Sequence, residues 1–358
     1  MRKIVKLLII VVTITAFSLY AQANETDEYL EKFEEILPDG YKGLSESTEE
    51  LVSLVSLESL LGEIFSALSG RRGEILSFFL LLLGCATLLS VAGLSKGKLS
   101  RVCCAGVGMI CSVLIFERLC GLFVEMSEAL DEINKFFSAL IPVMSAVTVA
   151  GGGSSTAAVS AVGMNITLSI VGGIGGTVFT SVVGFGFAMG LLCAFGNEGI
   201  SSVVRGVRNF FMWLLGIGTA LIMGTLSLQT VVASAADSAA MRAAKYMASG
   251  MIPVVGGTVS GALSTLFSGL SYVKSVIGVG AVWVIISVLT APLFVLLLYR
   301  FALSLAVSFS EFVGSTSVKE PFSTFRFSLD SLIAVYSLSM ILYIFEIILF
   351  VKSGVSML

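Results

Sequence analysis

The sequence contains no histidine and few charged residues. Histidine is the commonest general base and metal ligand in proteins, so its absence argues against hydrolytic triads and most zinc sites. Only 13% of the 358 residues are charged, about half of the roughly 25% that is usual for soluble domains. Apolar residues make up 56% of the chain. The composition therefore predicts an integral membrane protein.

Several motifs of soluble enzymes are also missing. The chain has no G-x-x-x-x-G-K-[ST] phosphate loop, no serine elbow with a histidine partner and no basic patch beyond short loops. No two cysteines have the CxxC spacing of a metal or redox site. All six lie in apolar segments, where we expect small buried hydrophobic residues: Cys85, Cys103, Cys104, Cys111, Cys120 and Cys193. We expect no enzyme, no cofactor, no metal and no nucleic-acid binding.

The first 23 residues have the form of a cleavable signal peptide. A basic start is followed by an apolar stretch over 7–19 and by the cleavage sequence Ala21-Gln22-Ala23. The alternative is an uncleaved first transmembrane helix. Both interpretations place residue 24 outside the cytoplasm.

Residues 24–70 are acidic, with twelve acids against two lysines. Apolar spacing predicts two short helices here, the second starting at a capping box from Ser47 to Glu50. We expect an extracytoplasmic helical region. It either packs on the membrane domain as a solvated helical pair or forms a docking surface for an extracytoplasmic partner.

The apolar runs in residues 71–358 predict an all-α, polytopic membrane domain with about six transmembrane helices. The clearest spans are 75–94, 102–124, 209–232, 275–298 and 331–351. Basic residues at 96–101 and at 205–208 mark cytoplasmic loops. In this topology two spans run from the outside to the cytoplasm, namely 75–94 and 275–298, and the second ends at Arg300. The chain must then cross the membrane an odd number of times within 142–195.

The uncharged run between Lys135 and Glu198 is interrupted. Pro142, Gly151-Gly152-Gly153 and the glycines at 172–176 break it. Irregular backbone is tolerated in hydrocarbon only where protein or a watery cavity surrounds it. We therefore expect 142–153 to be a broken or re-entrant element. An amphipathic helix over 125–141 should precede it on the outer membrane surface.

A parallel internal repeat is predicted over 96–204 and 205–300. Each copy has a basic loop, a span, an amphipathic segment, an Ile-Pro-Val motif and a Gly/Ser-rich run, with the motifs at 141–143 and 252–254. Paired repeats with interrupted helices often form transport pathways. The junction between 142–176 and 253–270 is therefore the candidate pathway.

Two sets of residues are candidates for function. The first either lines a pathway or packs helices closely: Pro142, Gly151, Gly152, Gly153, Asn165, Gly172, Gly176, Pro253, Gly256 and Gly257. The second contains charges inside apolar segments: Glu117, Arg118 and Glu346. A carboxylate within a span is a functional candidate by default, although Glu346 could also snorkel to the interface near Lys352.

The whole layout resembles the stage III sporulation protein AE family. The features that carry the resemblance are the signal peptide, the short acidic region and the glycine-rich membrane domain. The stretch from Leu140-Ile141-Pro142-Val143 to Ala150-Gly151-Gly152-Gly153-Ser154 adds to them.

The resemblance implies a permease-like membrane subunit of a channel or export complex that links mother cell and forespore and supports late forespore gene expression. It implies membrane and ring-forming partners, a separate ATPase, and a place in the mother-cell membrane around the forespore. The residues alone leave two alternatives, a stand-alone small-solute permease and a structural membrane scaffold.

Overall fold

In a computed structural model, helices form nearly all of the described chain, and no strand occurs in it. The structure describes 27–38, 57–94, 98–173, 198–251, 256–312 and 316–355, together with 181, 184–186, 188–189 and 192. The signal peptide, the capping box, Gly176 and Pro253 lie outside these residues.

Eight helices are described. They are α1 Asp27–Ile36, α2 Leu57–Gly70, α3 Arg72–Leu94, α4 Lys98–Ala150, α5 Ser154–Gly173, α6 Glu198–Met251, α7 Gly256–Phe312 and α8 Thr316–Val355. Six of them are long and apolar enough to cross a membrane, namely α3 to α8. The predicted fold class and the number of about six spans are thereby confirmed.

The pair α7 and α8 forms the centre of the bundle, and α3, α4, α5 and α6 pack around it. Many of the largest fully buried side chains in the centre belong to α8, among them Tyr336, Tyr343 and Phe350. Gly278 allows the close contact of α7 with α8, because a Cβ there would collide with Val351. Elsewhere on α7, Gly280 makes room for the Phe33 ring of α1, which would lie 2.7 Å from an added Cβ.

The predicted break at Pro142 and the separate surface helix over 125–141 are wrong, because α4 runs without interruption through both. The apolar stripe of the expected surface helix is present, but protein rather than lipid covers it. Met126, Ile133 and Phe137 are each at most 1% exposed, and Phe137 packs on Tyr343 with ring centroids 4.6 Å apart. Pro142 removes one backbone donor, and its neighbours keep the helix intact.

The second predicted amphipathic segment is likewise part of a longer helix, α6. The helices α4 and α6 have 53 and 54 residues, so each is about 80 Å long. A hydrocarbon layer is about 30 Å thick, so both extend well beyond one. The two helices match in length; the first Ile-Pro-Val motif lies inside α4, and the second, at 252–254, lies outside the described residues. The internal repeat stays a prediction.

The structure also corrects the predicted positions of two span ends along the axis of the bundle. Phe78, near the start of α3, stacks on Tyr299 with ring centroids 4.4 Å apart. Arg71, beside α3, forms an ion pair with Glu125 in the middle of α4. The sequence-based topology placed the start of the first span outside and the end at Arg300 inside. These two ends lie at one level of the bundle, so at least one of the two assignments is wrong.

Candidate functional site

Two clusters of buried charged side chains lie at opposite ends of α6, α7 and α8. One contains Asp237 and Lys274, and the other contains Asp330 with two arginines. Along the three helices the clusters are 23 to 29 residues apart, which corresponds to about 35–43 Å. A bilayer with its headgroups is about 40–45 Å thick, so the spacing of the clusters matches the thickness of one membrane.

The Asp330 cluster joins three helices. Asp330 of α8 is 7% exposed; Arg208 of α6 lies 3.0 Å from its Oδ2 atom, and Arg300 of α7 donates from Nε to Oδ1. A carboxylate between two guanidinium groups is a favourable way to bury a charge. The contact also confirms that Arg208 and Arg300 lie at the same end of the bundle, as the positive-inside pattern predicts.

The other cluster begins at the glycine turn between α4 and α5. Gly153 N–H donates to the Thr148 carbonyl and Gly152 N–H donates to the Val149 carbonyl, each over 2.9 Å. These are the two bonds of a Schellman helix end, which needs a left-handed residue after the last turn. Gly152 is that residue, with a φ of 80°. The structure therefore places Gly151–Gly153 in a tight turn that closes α4.

Asp237 completes this turn from a different helix. Gly153 occupies the position before α5 and has no side chain with which to cap it. The carboxylate of Asp237 on α6 accepts the backbone N–H groups of Ser155 at 3.0 Å and Thr156 at 2.6 Å. Capping side chains normally come from the residue that precedes the helix. Here the cap comes from α6, so the start of α5 and the C-terminal part of α6 are joined by a charged contact.

Lys274 lies in the same cluster and is 3% exposed. Its Nζ atom donates to Ser353 Oγ over 3.0 Å and lies 4.0 Å from the centre of the Phe350 ring. The carboxylate of Asp237 is the opposite charge that acts on it. Ser234 on α6 donates to the Ser353 carbonyl over 3.3 Å. The cluster thus connects α5, α6, α7 and α8.

Glu346 is a buried carboxyl between the two clusters, 3% exposed. It faces α5 at Gly163, where an added Cβ would collide with the Glu346 Oε1 atom and lie 3.2 Å from Leu226 on α6. Lys352, by contrast, is exposed. The structure therefore places Glu346 inside the bundle, and the alternative that it snorkels to the surface is wrong.

The other candidates predicted from the sequence lie apart from these clusters. Glu117, Arg118, Asn165 and Gly172 are all exposed, and Asn165 Nδ2 donates to the Ala161 carbonyl of its own helix. None of these four belongs to either cluster.

The structure brings part of the predicted pathway junction together. Gly151 lies next to Leu270 of α7, since an added Cβ would be 3.9 Å from the Leu270 Cβ. Gly256 and Gly257 begin α7. Pro142 lies exposed on α4. A pathway along this junction and close packing of its helices both stay predictions.

Three residues of the two clusters, Asp237, Lys274 and Asp330, are absent from the candidates predicted from sequence. A signal was present for two of them. Asp237 is the only acidic residue between Glu198 and Glu311, and Lys274 is the only charged residue in 246–299. An isolated charge in a long apolar stretch predicts a buried partner of opposite sign. The Asp330 contact depends on tertiary structure and carries no such local signal.

Comparison with known proteins gives one family. The sequence profile of stage III sporulation protein AE matches residues 42–354. The stage III sporulation protein AE of Bacillus subtilis (strain 168) is 20% identical over 312 residues, which cover 83% of this chain and 78% of that protein. No solved structure matches. With a match over most of its length, this chain belongs to the stage III sporulation protein AE family.

Proposed function

We propose that this chain is the permease-like membrane core of the sporulation stage III channel or export complex, which links mother cell and forespore. Family membership supports a role in sporulation, and six helices of membrane-spanning length and composition support a place in a bilayer. The chain would act without chemistry of its own and would depend on a separate ATPase for energy.

The observation that carries the proposal is the set of buried charges in α6, α7 and α8. Asp237, Lys274 and Glu346 are each 3% exposed, within segments of otherwise apolar character. Burying a charge in a membrane protein is costly, and such residues usually mark substrate or ion pathways. Asp237 and Lys274 also hold helices together, but the Glu346 Oε2 atom has no hydrogen-bond partner within the described residues. A scaffold that only anchored its neighbours would be more stable with an apolar residue at position 346. The buried carboxyl therefore favours a membrane core that moves or admits something.

The resemblance also supports a location and a set of partners. The chain would lie in the mother-cell membrane around the forespore, with residues 24–70 facing the space between the two membranes. Its partners would be small membrane proteins and ring-forming proteins of the same complex. The acidic charge of 24–70 suits a surface that meets basic segments of such partners.

Co-purification tests the proposal. The chain is tagged at its own locus and purified in mild detergent from sporulating cells, with an unrelated tagged membrane protein of similar size as control. We expect the ring-forming proteins, the small membrane proteins and the ATPase in the eluate of the chain alone. An eluate that holds none of them would overturn the proposal. Solute uptake by liposomes containing only the chain would instead support the stand-alone permease.

A further inference from the structure

A stripe of small polar residues connects the Asp237 cluster with Glu346. On the buried face of α5 it consists of Thr156, Ser160 and Thr167, of which Thr156 and Thr167 are completely buried. Two contacts fix the antiparallel register of α5 and α6: Thr156 with Asp237, and Gly163 with Leu226. We call this stripe, together with Asp237 and Glu346, the polar seam.

The alignment of α5 with α6 shows which residues of α6 lie at the level of the polar seam. It brings Ser160 level with the region of Thr230, a second buried hydroxyl, which donates to the Leu226 carbonyl of its own helix. From Ser155 to Gly163, the position that Glu346 faces, the seam covers eight residues of α5, or about 12 Å, and Thr167 continues it by one more turn. Beyond Glu346 towards Asp330, α8 continues for sixteen residues, or about 24 Å. The path from Glu346 to the Asp237 cluster is therefore the shorter of the two.

Two atoms of the polar seam lack hydrogen-bond partners within the part of the chain that the structure describes. They are Thr167 Oγ1 and Glu346 Oε2, both of them buried. Buried polar atoms are nearly always paired, with protein or with ordered water. Two unpaired oxygens along one seam indicate positions where water or a proton would complete the hydrogen bonds.

A groove between two helices borders the seam at its Asp237 end. This open groove of about 440 Å³ lies between α5 and α6, and its lining is mainly apolar, with Ser155 and Gln229 as its polar residues. The backbone N–H of Ser155 is one of the two donors to Asp237. The groove therefore ends directly beside the charged cluster.

The charges around Glu346 come from the neighbouring elements. α5 has none, α6 has Asp237, and α7 has Lys274. The charged residues of α4 in this region are exposed, namely Asp131, Glu132 and Lys135. On α8 itself, Lys352 is exposed. The immediate contacts of the carboxyl are instead Gly163 and the apolar Leu226.

We propose that Glu346 is a proton-binding site within the membrane core, loaded through the polar seam from the Asp237–Lys274 end. A proton from water at that end would pass along the seam and bind the carboxylate, giving a neutral carboxylic acid. A proton needs only one carboxyl group, whereas a metal cation needs several oxygen ligands. The single carboxyl beside Leu226 and Gly163 fits the proton. This inference goes beyond the proposed function, since proton binding can be measured on the purified chain without its partners.

Infrared titration of the purified full chain in liposomes tests the proposal. We expect a carboxylic acid C=O band that grows as the pH falls, that is lost in Glu346→Gln and that is retained in Glu128→Gln, where an exposed carboxylate of α4 is removed. Transfer into heavy water should shift the band, and Ser160→Leu, which fills the seam, should slow that shift several-fold. If Glu346→Gln left the carboxylic acid C=O band unchanged, the proposal would be overturned. A band that responds to sodium rather than to protons would also overturn it.

A pair of glycine variants guards against misfolding of the charge variants. Gly163→Ala places a methyl group where Glu346 Oε1 lies, whereas Gly172→Ala on the same helix points into open space. The first should alter the titration of the band and the second should leave it unchanged, with both chains keeping their helix content. Identical titrations in the two variants would contradict the assigned position of the carboxyl.

Discussion

Asp237→Ala is expected to lower the free energy of unfolding by about 2–3 kcal/mol, the size of effect expected when a charged hydrogen-bond acceptor at a helix start is removed. Two effects combine. The backbone N–H groups of Ser155 and Thr156 lose their acceptor, and Lys274 stays buried without the opposite charge that acts on it. Thermal unfolding of the purified chain in detergent, followed by loss of helix content, measures the change.

Matched variants separate the charge effect from the loss of the cap. Asp131→Ala removes an exposed carboxylate from α4 and should change stability by less than about 0.5 kcal/mol. The double variant Asp237→Ala/Lys274→Met should recover part of the loss, because no uncompensated charge is left in the core. If Asp237→Ala were as stable as Asp131→Ala, the capping role of Asp237 would be wrong.

The second large effect is expected at the other end of the bundle. Asp330→Ala should destabilise the chain by about 2 kcal/mol, between the values for exposed and fully buried ion pairs. The intermediate value follows because Asp330 is 7% exposed, whereas the side chains of Arg300 and Arg208 are 20% and 35% exposed. Chemical denaturation of the purified chain gives the difference.

The two arginine variants provide the internal comparison for this cluster. Arg300→Ala should cost more than Arg208→Ala, since Arg300 is the more buried of the two and donates a hydrogen bond to Asp330. Exposed arginines elsewhere, such as Arg242, serve as controls. Equal and negligible effects of all three arginine variants would show that the Asp330 cluster contributes nothing to stability.

Sequence patterns predicted the helices of the bundle well and their ends poorly. Composition and apolar length identify α3, α6, α7 and α8, because about 20 consecutive apolar residues are characteristic of a transmembrane helix. The sequence correctly predicted the apolar stripe that contains Met126, Ile133 and Phe137. It wrongly predicted that lipid would cover this stripe, which packs against other helices instead. An amphipathic helix shows the same periodicity whether lipid or protein covers its apolar face.

The glycines and the proline illustrate the same limit. Both kinds of residue signal a break, yet between Lys98 and Gly173 the helix breaks only at the turn around Gly152, where a left-handed conformation is needed. At Pro142 the helix continues, because the residues around it supply enough packing to maintain it. The difference lies in tertiary contacts that a single sequence does not display.

The candidate site was predictable in part. Glu346 was found as a carboxylate in an apolar segment, and the structure places it in the interior of the bundle. Its neighbour Gly163 could not be recognised, because nothing in the sequence distinguishes it from the other helical glycines. The pairing of Asp237 with the start of α5 joins residues about 80 positions apart, and no local pattern contains that information.

The buried charges of the membrane core should serve sporulation and not merely hold helices together. The decisive quantity is sporulation efficiency, counted as heat-resistant spores from the organism that carries the chain, with protein abundance measured in parallel. Glu346→Gln should abolish most spore formation at normal abundance, while Glu128→Gln should sporulate like the parent. Normal sporulation with Glu346→Gln at normal abundance would show that the buried carboxyl has no part in the function.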